Sequence, residues 1–389
     1  VTATGAGVDP TLTPGPDADA ALDRDRLRAA FPADGEASFD AVTANAPTLF
    51  AAGPVFVAPP DLDAIAEAVG ALHRAALAIP PPADALIPGR DGPGLLMGYD
   101  FHLTPDGPRL IEVNTNAGGA LLAARATEAS GCPGFVEALE ASLFRSFVRE
   151  HGGDAPRAVA IVDDRPREQF LHPEFVLFAR LLERHGVSAQ IADPRELRWD
   201  GEALRREGAP LDFVYARTTD FALSSPASAP LRDAWDAGAI TLSPNPRHHA
   251  TFAHKARLCT WSDPDALGAL APADRATLGR VVPRTVRVGP ENADALWAAR
   301  GGWFFKPVAG FGSRAAYRGD KLTRGKWVEI LSVPDSYVAQ ALVPPSTRRF
   351  ASVAEPLKVD LRAIAYDGAV QSLFARLYHG QTTNLRTPG

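Results

Sequence analysis

Leu110-Ile111-Glu112-Val113-Asn114-Thr115-Asn116-Ala117-Gly118-Gly119 is the stretch on which the fold turns. Apolar and polar residues alternate from Ile111 to Asn114, the two-residue period of a half-buried strand. Glu112 and Asn114 then face the same side. A carboxylate and an amide oxygen on one face are hard oxygen donors of the kind Mg²⁺ takes. Asn116 joins that face if the strand continues, and Gly118-Gly119 lets the backbone approach a ligand. A plain polar sheet face is the competing reading; the apolar flanks and the glycine pair favour the metal.

Upstream of this stretch, Leu95 to Leu103 reads as a strand. Thr104-Pro105-Asp106-Gly107 is a turn, and Arg109 to Asn114 is the return strand of a hairpin. A helix is expected over 61–79. Leu62, Ile65, Val69 and Leu72 form one apolar stripe, Asp61 can cap it behind Pro59-Pro60, and Pro80-Pro81-Pro82 stops it. Residues 1 to about 20 are small, aperiodic and rich in Pro and Gly, which reads as a mobile arm.

Downstream, a helix around 134–150 is followed by an α/β pattern. Ala158 to Asp163 is a buried-type strand. His172 to His185 is a helix opened by Pro173 and stopped by Gly186. Val187 to Ile191 and Leu211 to Tyr215 are strands. Such alternation predicts a parallel, Rossmann-like sheet. A helix over 248–262 carries His254, Lys255 and Arg257. Beyond 280 short strands dominate: Thr285–Val288, Trp303–Lys306, Tyr337–Val343, Val359–Tyr366 and Val370–Tyr378. Asp367-Gly368 joins the last two as a hairpin turn. No internal repeat is visible.

Three more segments carry chemistry. In Trp303-Phe304-Phe305-Lys306, a lysine inside an apolar strand needs an anion, because burying a lone ammonium is costly. The following Gly310-Phe311-Gly312-Ser313 can turn backbone N–H groups toward phosphate. It is neither a Walker A loop nor a complete G-x-G-x-x-G, and a snorkelling surface lysine is the alternative. Tyr337-Val338-Ala339-Gln340-Ala341-Leu342-Val343 offers backbone groups and one amide, Gln340, to the edge of an adenine; a core strand reads equally well. In Leu357-Lys358-Val359-Asp360-Leu361-Arg362, three charges share one face. They form a solvated edge, or else Asp360 is a second metal carboxylate beside Arg362 as a phosphate or oxyanion clamp.

Together the four segments resemble the ATP-grasp superfamily. Its marks are a strand lysine before a glycine-containing loop, an adenine hinge, a metal Asp on a D-x-R strand and a metal E-x-N strand. Here E-x-N comes first, about 190 residues before Lys306. That order is similar to the circularly permuted members, eukaryotic glutathione synthetase and, more loosely, glutathionylspermidine synthase. The resemblance covers roughly residues 95–389 and implies an α/β (α+β) fold: a circularly permuted ATP-grasp core with an inserted Rossmann-like substrate domain. Residues 1–150 would hold the permuted metal hairpin, 151–262 the substrate domain, and 263–389 the nucleotide-binding subdomains.

The resemblance also implies roles. Lys255 and Lys306 match the two ATP lysines. Gly310, Gly312, Ser313, Gln340, Ala341, Leu342, Val343, Lys358 and Asn384 fall among the nucleotide contacts. Glu112, Asn114 and Asp360 are the Mg²⁺ ligands, and Arg362 with Lys306 serves catalysis. Asp100, Asn116, Arg217 and Arg376 are substrate contacts, the two arginines as carboxylate anchors. Two departures stand out. Val308-Ala309-Gly310 replaces the synthetase's metal glutamate, so Asp360 takes that load. Met97-Gly98-Tyr99 stands where the synthetase has an arginine before its early Asp. The implied activity is an ATP- and Mg²⁺-dependent carboxylate–amine ligase acting on an amino acid or small peptide through an acyl phosphate. A phosphotransferase without an amine acceptor and a non-catalytic nucleotide-binding module are the alternatives. A nicotinamide enzyme ranks lower, because Asp164-Arg165-Pro166-Arg167 carries no glycine fingerprint.

Composition agrees with this. The 389 residues suffice for two or three domains, and 46% hydrophobic with 22% charged residues is globular. A net charge of −6 without a basic block argues against nucleic acid. No apolar run approaches membrane-spanning length, and no secretory signal opens the chain. Cys132 and Cys259 cannot build a disulfide framework. A cytoplasmic enzyme of small molecules is expected, with a homodimer left open. Val1 in place of Met reads as missing first residues or as a valine start codon, and the loop-like Thr387-Pro388-Gly389 suggests that more sequence follows. His248, His249 and His254 do not share a helical face and are expected on a helix surface.

Overall fold

The computed structural model describes residues 21–82, 85, 92–308 and 315–381. The N-terminal arm, the loop with Gly310, Gly312 and Ser313, and Asn384 lie outside the described residues. In chain order the strands begin with a hairpin, β1 (Met97–Thr104) and β2 (Gly107–Asn114). Next come β3 (Ala158–Val162) and β4 (Ser188–Ala192), a meander of β5 (Leu197–Trp199), β6 (Leu204–Arg206) and β7 (Ala209–Leu211), then β8 (Phe213–Ala216) and β9 (Thr241–Ser243). The last third holds β10 (Thr285–Arg287), β11 (Trp303–Pro307), β12 (Tyr317–Arg318), β13 (Tyr337–Ala341), β14 (Ser346–Arg348), β15 (Leu357–Tyr366) and β16 (Ala369–Tyr378).

Three main sheets result. Strands β4, β3, β8 and β9 form the expected parallel sheet in that order. Strands β10, β13, β11 and β12 form an antiparallel sheet. The third sheet unites distant parts of the chain: β15 pairs along one edge with β16 and along the other with β14 and then β1, and β1 pairs with β2. The β15–β16 hairpin turns at Asp367 and Gly368 with φ of 52° and 72°. Two consecutive positive φ values are the type I′ geometry that Asp-Gly favours.

Strand β15 is buried on both faces from Val359 on, which overturns the solvated-edge alternative for Asp360 and Arg362, while Lys358 at its start is half-buried. Two apolar cores explain why: Val359, Leu361, Ala363 and Ala365 enter one with Leu72 and Phe101, and Ile364 enters the other. Leu121, Leu143 and Phe147 from helices Ala120–Ala129 and Phe135–Glu150 pack with Val159 and Phe213 of the parallel sheet and with Ile364 and Phe374 of the β15–β16 hairpin. Each such side chain contributes roughly 1.5–3 kcal/mol of burial free energy. The sheet of β15 and β16 and the parallel sheet therefore share one core.

Some local expectations change. The first long helix runs Pro59–Ala78 with Ala58 as its N-cap and no side-chain cap, so Asp61 lies inside the first turn. Proline at the first position needs no N–H partner and starts the helix by itself. Leu62 is exposed, so the stripe begins at Ile65. The helix expected over 248–262 is broken: Pro246–His248 leads into a π turn, His249–Ala253, and a second helix starts only at Arg257. His248 and His254 are buried, 2% and 8% exposed, against the surface expected for them. Among the described residues no helix is long and apolar enough to cross a membrane.

Candidate active site

The pairing of β1, β2, β15 and β16 sets the site. Glu112 on β2 lies opposite Asp100 on β1, and Asp100 lies opposite Arg362 on β15. Asp360 lies opposite Arg376 on β16. Because side chains alternate, these groups stand on one face and meet across the strands. Arg362 donates from Nε and Nη2 to the two oxygens of Asp100, both at 2.7 Å. Arg376 Nη2 reaches Asp100 at 2.8 Å and Asp360 Oδ1 at 2.5 Å, and its Nε donates to the same Oδ1 at 2.9 Å. Such planar, charge-assisted pairs fix both guanidiniums. Gly98, two strand positions from the row, lets the chain after β2 close in: a Cβ there would lie 2.4 Å from the Ala117 Cβ.

Asp100 and Arg376 were expected to meet substrate. The structure instead spends them on each other, on Asp360 and on Arg362. Burial pushes the Asp100 carboxyl up, but Arg362 and Arg376 outweigh it and hold it at about 2. Burial dominates for Asp360 and raises it to about 6, against the pull of Arg376.

Glu112 and Asn114 are half-buried beside this network. Asn114 Nδ2 donates to Asp100 at 3.1 Å and approaches Glu112 Oε1 at 3.4 Å. Lys255 Nζ lies 3.8 Å from Glu112 Oε2. It comes from the break after the π turn rather than from a helix, and its backbone N–H donates to the Val308 carbonyl, next to the lysine strand. Burial works to raise the Glu112 pKa, yet Lys255 and Lys306 bring it below its ordinary value.

Lys306 is 5% exposed on β11 and is not a snorkelling surface residue. Its Nζ donates to the Ile111 carbonyl at 2.8 Å and to Gln340 Oε1 at 2.7 Å. Burial lowers its pKa to about 8, opposed by Glu112. Gln340 is thereby committed: its Nε2 also donates to the Leu110 carbonyl at 3.3 Å. It ties β13 and Lys306 to the E-x-N strand instead of reading a base. The expected hinge changes as well. The N–H groups of Ala341 and Leu342 donate to the Arg284 and Gly302 carbonyls. The Val343 carbonyl lies 2.9 Å from His102 Nδ1, which therefore carries its proton there. Lys358 reaches the Gly380 carbonyl.

Beyond β2, Asn116 Nδ2 donates to the Arg217 and Thr218 carbonyls at 3.0 and 3.2 Å. Arg217, at the end of β8, is buried. Its Nη1 donates to the carbonyls of Asn116 and Ala117 at 2.9 and 3.0 Å and to the Tyr215 hydroxyl at 3.1 Å. This group, expected as an open carboxylate anchor, holds backbone. Gly118 serves packing: a Cβ there would lie 2.3 Å from Leu171 Cδ1 and 2.6 Å from Arg217 Nη2. A cleft opens between Thr115, Asn116, Thr218, Phe221, Pro244 and Asn245, at the carboxyl ends of β8 and β9. Open parallel sheets bind ligands at such ends. His102, Gln340's link to Lys306 and the packing role of Gly118 escaped the sequence reading; the His at two residues from Asp100 on a strand was the available signal for the first.

Among the described residues no group of three or more His, Cys, Asp or Glu side chains is gathered as a metal site. The donor set nonetheless tests well in part. Glu112 and Asn114 are adjacent oxygen-bearing groups near solvent, as Mg²⁺ requires. Asp360 commits Oδ1 to Arg376 and has only Oδ2 to offer.

No protein-family model matches the sequence, and neither does any curated protein. Solved structures do. The "Putative gamma-glutamylcysteine synthetase" of Methylobacillus flagellatus KT superposes with a TM-score of 0.54 at 10% identity, over 92% of this chain and 87% of that one. D-alanyl-alanine synthetase A of Vibrio cholerae O1 gives 0.34 at 14% identity, over 54% and 67% of the two chains. The ATP-grasp ligase PsnB, complexed with its minimal precursor, gives 0.32 at 17% identity, over 59% and 78%. The likeness to the Methylobacillus protein is one of fold, over nearly the whole of both chains.

Proposed function

We propose that the chain is an ATP- and Mg²⁺-dependent carboxylate–amine ligase of the circularly permuted ATP-grasp type, acting on an amino acid or small peptide. The observation that carries this reading is the row Glu112–Asp100–Arg362 across three neighbouring strands, flanked by Lys255 and Lys306. Four cations and three carboxylates converge there, the charge pattern that phosphoryl transfer asks of a protein. The permuted order is supported by a sheet that joins Asp100 to Arg362, 262 residues apart. The parallel sheet supports the inserted substrate domain, residues 151–262, between the hairpin part, 1–150, and the nucleotide part, 263–389. A cytoplasmic setting and a homodimer belong to the same reading.

In this scheme a substrate carboxylate oxygen attacks the γ-phosphorus and the bond to ADP breaks, leaving an acyl phosphate. The amine nitrogen then attacks the acyl carbon, phosphate departs with its oxygen, and the nitrogen loses a proton. Glu112 and Asn114, with Asp360, would hold Mg²⁺, which when bound would neutralise phosphate charge. Lys306, fixed by Gln340 and the Ile111 carbonyl, and Lys255, beside Glu112, orient the phosphates. Arg362, locked by Asp100, presents its guanidinium to charge on the transferring group. The cleft beside Asn116 and Thr218, which Asp220 also lines, receives substrate.

The test is ADP release from Mg-ATP with pooled amino acids, dipeptides and polyamines. Release that needs both an acid and an amine, and is lost in Glu112→Gln while that variant keeps its melting temperature, is the expected result. Release needing one component makes the protein a phosphotransferase; near wild-type turnover by Glu112→Gln overturns the site.

A further inference from the structure

We propose that Glu174 is a positioning residue for this site: with Arg217 it clasps loop 115–119 and so sets the E-x-N strand against the parallel-sheet cleft. The proposal rests on the ligase reading above. Glu174 lies in the first turn of helix His172–Arg184 and is fully buried, at 0% exposure. Its Oε1 accepts the N–H groups of Gly119 and Leu121 at 3.0 and 3.1 Å, and its Oε2 accepts Gly119 at 2.8 Å. Gly119 is the N-cap of helix Ala120–Ala129, has a φ of 99° and brings no side-chain cap of its own. Glu174 supplies that cap from another element.

A buried carboxylate is costly unless it is fully hydrogen-bonded. A neutral amide in place of the carboxylate could accept the same N–H groups without a charge. Helix stability alone therefore does not call for Glu174. What a carboxylate on the neighbouring helix adds is attachment between elements. Arg217 grips the same loop through the Asn116 and Ala117 carbonyls. Asn116 returns two hydrogen bonds to the Arg217 and Thr218 carbonyls. Gly118 is where the two halves close: a Cβ there would meet Arg217 Nη2 at 2.6 Å and Glu174 Oε2 at 3.3 Å. The loop starts one residue after Asn114, and its Thr115 and Asn116 line the cleft with Thr218 and Phe221. The clasp thus governs the distance between the cleft and the Glu112–Asn114 face, without touching a nucleotide.

The test compares Glu174→Gln and Glu174→Asp with the wild type. Three quantities are measured: kcat, the Kd for a non-hydrolysable Mg-ATP analogue, and amide hydrogen exchange over 115–121. Expected for Glu174→Gln is a kcat lowered about tenfold or more, a Kd within about twofold of wild type, and faster exchange at Gly119 and Leu121. Glu174→Asp, which keeps the charge, recovers part of kcat. Unchanged kcat with unchanged exchange overturns the proposal. So does a Kd that rises in step with the loss of kcat, which marks a general structural role. A wild type without turnover would sink the ligase reading alone. The exchange arm then still decides: loosening confined to 115–121 supports the clasp, and unaltered protection refutes it.

Discussion

Asp100 and Arg362 stand opposite each other on neighbouring strands, 262 residues apart in the chain, and are joined by two hydrogen bonds of 2.7 Å. The pair welds the early hairpin to the late one. It also fixes the plane of a guanidinium that would otherwise sample many rotamers, and Arg376 closes the other side of the same carboxylate. The site's arginine geometry is thus a consequence of strand register.

Asp100→Asn keeps the shape and removes the charge. Arg376 then keeps Asp360, while Arg362 loses the carboxylate that takes both of its hydrogen bonds. Removing one member of a buried pair costs about 3–5 kcal/mol. Denaturant unfolding at neutral pH is expected to show a loss in that range, together with abolished turnover. A loss below about 1 kcal/mol would mean that the pair does not hold the two hairpins together.

Gln340→Leu separates the two roles open to that side chain. In the structure Gln340 accepts from Lys306 and donates to the Leu110 carbonyl. Without it Lys306 loses a partner while staying buried. A Kd for Mg-ATP analogues raised about tenfold is expected, equivalent to about 1.4 kcal/mol. Because no base reading is involved, analogues of ATP and GTP should weaken alike. A change in preference between the bases would restore Gln340 to an adenine-reading role.

Gly118→Ala tests the packing at the loop. The added methyl would sit 2.3 Å from Leu171 Cδ1 and 2.6 Å from Arg217 Nη2. Overpacking of this kind costs typically 1–3 kcal/mol. A lowered melting temperature is the expected result, and an unchanged one would show that Leu171 and Arg217 can yield.

Local periodicity made much of the fold legible. Alternation in Leu357–Tyr366 and the Asp-Gly turn marked β15 and β16, and uniform apolarity marked β3. Three features were hidden for physical reasons. The break at His254-Lys255 carries neither Gly nor Pro, so nothing local announced it. Helix Ala120–Ala129 was overshadowed by the glycine pair before it, whose purpose is packing against Leu171 and capping by Glu174. At the site, residue types and shared faces could be read from the pattern, but the partners could not. Whether Arg376 meets a substrate or Asp360 depends on register between strands, which pairs Asp360 with Arg376 and Asp100 with Arg362. Register is a non-local quantity, set by the shared core.

Asp163 offers a pH test outside the charge row. It follows β3, is 9% exposed, and accepts the Asp164 N–H at 2.8 Å through Oδ1. Burial raises its pKa from 3.8 to about 6, with Arg217 pulling the other way. The folded chain therefore holds this proton more tightly than the unfolded one. The stability it contributes is fully present below about pH 4 and is lost as the pH rises through about 6. Two pKa units correspond to about 3 kcal/mol, an upper figure here because the variant also deprives Arg217 of a nearby charge. Asp163→Asn keeps an oxygen for the Asp164 N–H and cannot ionise. Denaturant unfolding is expected to show the variant more stable than wild type by about 1–3 kcal/mol at pH 7.5, with the advantage gone at pH 4. An equal difference at both pH values, or a loss at pH 7.5, would show that Asp163 is ionised in the fold at little cost and that Arg217 is its partner as well as the loop's.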